Sequence, residues 1–378
     1  FFFELLLAPI PPGHRMTRHN GWSQVCQFEH SSIPISKWAS DKTGMQVVAI
    51  EIERPMVDGY LAIATEASCD DGCPHTLEHL IFMGSEDFPV KGMLDQLANR
   101  SFAQGTNAWT DTDHTCYTIS TAGKEGFLRM LPTYVDHILY PNLTEAAFIT
   151  EVHHITEKGE SQGVVYCEMQ SRENTPMIKG SREVQQHLWK GTNYVWETGG
   201  IMKDIRALDN DTIKKYHASY YRPNNLCVIV TGKVSPAELM DALEPMEAKI
   251  MGKGGLPELL SVPQPWQTPV PPLQESVHRC IEFPAEDEEE GALFMIAWRG
   301  PRWMDLQTRV ELACLMQYLT ESAVSPIRKA MVDCENPVAN SVYTSLEQYS
   351  VTAAELTFDG IKTVNLGVIE TQLLGVLE

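Results

Sequence analysis

His75, Glu78 and His79 stand together in the run Pro74-His75-Thr76-Leu77-Glu78-His79. On an α-helix, side chains at i and i+4 lie one above the other on the same face. Two imidazoles so placed can grip one metal ion, and Glu78 projects beside them. A metal with an open coordination position binds water, and a neighbouring carboxylate can take that water's proton. The pattern points to metal-assisted hydrolysis. A coincidental polar helix start is the plain alternative, and the surroundings argue against it. Pro74 suits a first helical turn. Leu77, Leu80, Ile81 and Phe82 give the helix an apolar side, and Gly84-Ser85 can end it. Two histidines and a carboxylate on a buried helix need partners, and a metal supplies one.

A second metal arrangement competes. Cys69 and Cys73 stand just upstream, giving Cys-x3-Cys-x-His-x3-His, which could form a closed structural zinc site. That arrangement leaves Glu78 without a role. It also crowds four ligands into 11 residues, partly on one helix.

Two histidines leave a metal short of one protein ligand. Glu168, in Gly163-Val164-Val165-Tyr166-Cys167-Glu168-Met169-Gln170, is one candidate. If Val164, Val165 and Cys167 bury one side of a helix, Glu168 is a carboxylate in need of a partner. A salt bridge to Arg172 at i+4 accounts for it equally well. Glu157, Glu160, His153 and His154 are rivals. The two adjacent histidines face different sides of any regular element, so at most one could join. Spacing alone leaves the third ligand open.

The elements that position these residues read as an α+β layer. Residues 45–54 and 60–66 read as strands, followed by the motif helix and a helix near 92–100. Residues 113–121 alternate and are rich in Thr and Tyr, a third strand. Residues 124–139, 162–174 and 209–221 have helical periodicity. Asn225 to Thr231 is a nearly continuous apolar run, a buried strand, and a helix near 235–249 completes the unit. The expected unit is a mostly antiparallel sheet with helices packed on one face. Residues 1–34 read as an N-terminal extension, 35–251 as the catalytic domain, and the Gly/Pro-rich 252–275 as a linker. Residues 276–378 repeat the pattern as a second, incomplete unit: strands at 277–283 and 292–298, a helix at 306–319, strands over 340–358. Its helix carries Leu312, Ala313 and Cys314 instead of a His pair, so it cannot hold the same metal. The run Glu286-Asp287-Glu288-Glu289-Glu290 reads as a solvated turn.

With 378 residues, 43% of them hydrophobic, the chain can build two cores. A net charge of −21 argues against a nucleic-acid partner. Nine cysteines without framework spacing suit a reducing compartment, so a cytoplasmic location is expected, with the mitochondrion as the alternative. No stretch approaches the length of a membrane span. The apolar start, Phe1 to Leu7, contains Glu4 and lacks a basic leader, which makes it a poor signal peptide; Met16 offers an alternative start.

The segment from His75 to Ser85 resembles the active-site helix of the pitrilysin/insulinase metallopeptidases, which carry this inverted zinc-protease order. Thr106-Asn107-Ala108-Trp109-Thr110, Gly163 to Gln170, and Tyr221-Arg222-Pro223-Asn224-Asn225-Leu226 match in the same order, most like the presequence-protease branch. The resemblance covers residues 35–250 well and the rest weakly. It implies that His75, His79 and Glu168 bind Zn2+ and that Glu78 is the general base. It implies that Asn107 and Ala108 lie on an edge strand that pairs with an extended peptide. It also implies a clamshell of two halves, the second supplying an Arg and a Tyr that grip the substrate carbonyl. The chain then reads as an N-terminal fragment whose C-terminal half completes the site. Family members often carry a further Glu seven residues before the ligand Glu. Here that position is Ser161, with Glu160 one step off.

The expected function is a zinc-dependent endopeptidase acting on peptides or small unfolded polypeptides. Its rivals are a non-catalytic scaffold or partner subunit of the same fold, and a structural zinc module built on Cys69 and Cys73.

Overall fold

The computed structural model describes residues 17–255, 269–284 and 291–378. Met16, most of the expected linker and the acidic run 286–290 lie outside the described residues. Contacts divide the chain into two units.

The larger unit holds an eight-stranded sheet. Its strands are β1 (Arg18–His19), β2 (Trp22–His30), β3 (Ile33–Ser40), β4 (Gln46–Glu51), β5 (Met56–Ala64), β6 (Ala103–Thr110) and β7 (His114–Ala122). The short strands β8 (His154–Ile155) and β9 (Ser161–Gln162) pair separately, and β10 (Leu226–Gly232) returns to the main sheet. The order is β1-β2-β3-β4-β10-β5-β7-β6. Every neighbouring pair is antiparallel except β4 and β10. The apolar run of β10 explains its place: Leu226 to Val230 are all buried, so the strand suits the sheet's middle. It separates β4 from β5, which the sequence suggests as neighbours. Among the described residues β6 pairs only with β7 and is a sheet edge.

The helices of this unit are α1 (Cys73–Ile81), α2 (Met93–Arg100), α3 (Lys124–Leu139), α4 (Glu145–Glu151) and α5 (Val164–Arg172). After α6 (Pro176–Leu188), which belongs to the other unit, come α7 (Met202–Ala207), α8 (Asn210–Tyr220) and α9 (Pro236–Gly252). Leu77, Leu80 and Ile81 of α1 join Leu61, Tyr117 and Leu131 in one core. Burying each such aliphatic side chain contributes about 1.5–3 kcal/mol, which fixes the face that α1 presents.

Residues 17–34, read from sequence as extension, contain β2 and the start of β3. The β2–β3 hairpin is hidden in the sequence because β3, which continues past residue 34, buries the polar Ser36 and Lys37 inside the strand.

The smaller unit joins α6 to the C-terminal part of the chain. Its strands β11 (Ala292–Arg302), β12 (Ser341–Gln348) and β13 (Val351–Ile361) form an antiparallel sheet in the order β11-β13-β12. Its further helices are α10 (Leu306–Thr320), α11 (Pro326–Met331) and α12 (Ile369–Leu377). The strand expected at 277–283 does not form: these residues pair with no strand among those described, and Val277 and Ile281 are exposed. Apolar alternation is not enough where no neighbouring ladder is available. The α+β class, with a largely antiparallel sheet and helices, is the observed one.

Candidate active site

Helix α1 begins at a left-handed residue, Gly72, with φ 76°. A Cβ there would stand 2.7 Å from the Gly199 carbonyl oxygen. Glycine lets residues 199–200 lie flat against the start of the helix. The Pro74 ring then occupies the first turn, where its missing N–H costs nothing. This seating aims His75 and His79 away from the core, at 12% and 22% side-chain exposure. Their rings meet nearly at right angles, with centroids 4.8 Å apart.

Glu168 comes from α5. Its Oε2 stands 3.6 Å from His75 Nε2 and 3.6 Å from His79 Nε2. The three donor atoms all lie within 4.8 Å of one another, the one such group among the described residues. Donors about 2.1 Å from a common tetrahedral centre sit about 3.4 Å apart. The two measured edges fit that spacing, and two imidazoles with one carboxylate form a donor set suited to zinc.

The route to Glu168 by burial was mistaken. Glu168 is 43% exposed, and the buried side of α5 is Val165, Tyr166 and Met169; Val164 and Cys167 face outward. The rivals do not converge. His153 meets Ser161 Oγ through Nε2 at 3.1 Å, and His154 meets the Ile149 carbonyl. Cys69 and Cys73 are outside the group as well. The Cys73 thiol donates to Asp71 at 3.2 Å, and burial pushes its pKa up, away from the thiolate a structural zinc needs.

Glu78 lies on the same helix with its carboxylate fixed from the sheet: Thr110 Oγ1 donates to Glu78 Oε2 at 2.5 Å. Burial raises the Glu78 pKa; the Thr110 bond and His79 oppose this, and the Glu168 charge adds to it. Beneath it, the Tyr117 and Tyr221 hydroxyls meet at 2.9 Å. Asn107 and Ala108 fall on β6, at the edge of the sheet. Two contacting residues escaped the sequence reading. Thr110 sat inside a stretch already singled out. Glu151, at the end of α4, places Oε2 3.8 Å from His79 Nδ1 and carried no local signal.

The model of the insulinase family, peptidase family M16, matches residues 64–174, which include His75, Glu78, His79, Thr110, Glu151 and Glu168. The model of the M16 peptidase inactive domain matches residues 207–365, downstream of them. This chain belongs to the M16 peptidase family. Relatives extend along nearly all of it. An uncharacterized Saccharomyces cerevisiae protein is 37% identical over 369 residues, 95% of this chain and 35% of its own length. An uncharacterized Caenorhabditis elegans protein is 38% identical, over 91% of this chain and 34% of its own. Presequence protease 1 of Arabidopsis thaliana, chloroplastic/mitochondrial, is 26% identical over 77% of this chain and 28% of its own. The chain thus spans about a third of the length of these curated relatives. Among solved structures, a Helicobacter pylori protease superposes with TM-score 0.67 at 20% identity, covering 89% of this chain and 77% of that one. Pitrilysin superposes at 0.62 and 12% identity, covering 94% and 37%. These two show the M16 fold. No helix among the described residues is long and apolar enough to cross a membrane.

Proposed function

We propose that this chain carries the zinc site of a peptidase that hydrolyses peptides or small unfolded polypeptides. The observation that supports it is the convergence of His75, His79 and Glu168 on one point, with Glu78 alongside on the same helix. Bound there, zinc would supply Lewis-acid polarisation and a water of lowered pKa. Glu78 accepts a proton from the attacking water and returns it to the leaving amine nitrogen. The backbone of Asn107 and Ala108 on β6 takes an extended peptide as an added strand, and reads it with little side-chain bias.

Donors for the developing oxyanion, which the family resemblance puts on an Arg and a Tyr of a C-terminal half, belong in this proposal to that half. These 378 residues alone should bind zinc yet cleave slowly. The location stays the cytoplasm in this reading, with the mitochondrion as alternative.

The test is Glu78→Gln in the full-length protein. Zinc content should hold while peptide cleavage falls by roughly 10²–10⁴-fold. Unchanged cleavage would refute the assignment of the base, and absence of zinc from the wild type would refute the site.

A further inference from the structure

Glu151 closes α4 with its side chain only 10% exposed. Its two oxygens serve different partners. Oε1 accepts from Lys91 Nζ at 2.9 Å, and Oε2 stands 3.8 Å from His79 Nδ1. The other nitrogen of that ring, Nε2, stands 3.6 Å from Glu168 Oε2. The His79 imidazole therefore lies between two carboxylates, one in the donor group and one behind it.

A neutral imidazole carries its proton on one nitrogen and offers a lone pair on the other. A carboxylate behind Nδ1 holds the proton there, leaving Nε2 for a metal. Burying such a carboxylate is costly, and Lys91 compensates only one of its oxygens. We propose that Glu151 is a positioning residue that fixes the tautomer and ring angle of His79, and so sets the zinc affinity of the site. Lys91 holds Oε1, which leaves Oε2 aimed at the ring. At 3.8 Å the contact is longer than a hydrogen bond and is an electrostatic one. The inference rests on the zinc reading above.

The experiment measures zinc affinity of the full-length protein by competition with a chromophoric chelator. The variants are Glu151→Leu, Glu151→Gln, Lys91→Met and, as a control, the exposed Glu160→Leu. The His79 tautomer is followed by 15N NMR of the metal-free protein. The Lys91 side chain is 65% exposed, so losing Glu151 strands no buried cation, and the metal-free melting temperature checks that the variants fold. Glu151→Leu should weaken zinc binding by about 10–100-fold, with Glu151→Gln and Lys91→Met in between and Glu160→Leu unchanged. The Nδ1–H signal of His79 should weaken in step. Wild-type affinity in both Glu151 variants overturns the inference and leaves the peptidase reading standing. A wild type that binds no zinc overturns both.

Discussion

Thr110 Oγ1 donates to Glu78 Oε2 at 2.5 Å, which ties the end of the edge strand β6 to the carboxylate on α1. The strand proposed to take the peptide and the group proposed to take the proton are one mechanical piece. A hydrogen bond to a charged carboxylate is worth about 1.5–3 kcal/mol. Thr110→Val should lower kcat by about 10–100-fold. Zinc content should not change, since Thr110 bonds to Glu78 and stands outside the donor group of His75, His79 and Glu168. Thr110→Ser should recover most of the rate. Equal rates for Val and Ser would mean that the bond does not orient Glu78.

The free edge of β6 sets a second expectation, about the substrate. A peptide added to a sheet edge is held through its backbone N–H and C=O groups at alternate residues. N-methylating one backbone nitrogen at a time along a competitor peptide should produce a two-residue periodicity. Methylation in phase should weaken inhibition by roughly tenfold, from the loss of about one hydrogen bond and an added clash. Methylation out of phase should be tolerated. A flat profile along the peptide would rule out strand addition at Asn107 and Ala108.

Gly72 carries the seating of the metal helix. Its φ of 76° disfavours any side chain, and a Cβ would meet Gly199 and Gly200 at 2.7–3.0 Å. Gly72→Ala should cost roughly 1–3 kcal/mol in strain and push the start of α1 off the 199–200 segment. His75 sits three positions on, so zinc affinity should fall together with the melting temperature. Gly92→Ala is the control: it has a similar φ of 77° but nothing within 4 Å, so it should lower stability without changing zinc affinity. Equal zinc affinities in both variants would separate the helix start from the site.

What could be read from the sequence was local. The His pair depends on helical spacing, and the central place of β10 on an unbroken apolar run; both are written within a few residues. The break between α5 and α6 was equally local, with Thr175 accepting from the Ile178 N–H and Pro176 in the first turn. A single helical stretch over 162–174 stops near it. The hairpin of β2 and β3 was not legible, because Lys37 and Ser36 sit buried where alternation expects apolar residues. Glu168 was singled out on a false premise of burial and reaches the histidines all the same. Glu151 shows the general limit. It lies 72 positions from His79 in sequence, and only the packing of α4 beside α1 brings them together.

Two histidines, the buried His137 and the half-buried His217, give the larger unit a pH-dependent stability. Burial lowers the pKa of His137, opposed by its hydrogen bond to the Thr133 carbonyl. Burial likewise lowers that of His217, whose Nε2 meets the Ile138 carbonyl at 2.9 Å. Both folded values lie below the unfolded value of about 6.5. Between the two, the unfolded chain binds more protons than the folded one, so stability falls as pH drops through that window. It is fully present above about pH 6.5. Each histidine can add a slope of up to about 1.4 kcal/mol per pH unit there. Urea denaturation of the metal-free protein from pH 7.5 to 5 should show the loss, and removing zinc keeps its proton-driven release out of the measurement. His217→Gln keeps a neutral donor toward the Ile138 carbonyl, so it should flatten the slope by up to one proton at little cost near pH 7.5. A slope unchanged in His217→Gln would place the proton uptake elsewhere.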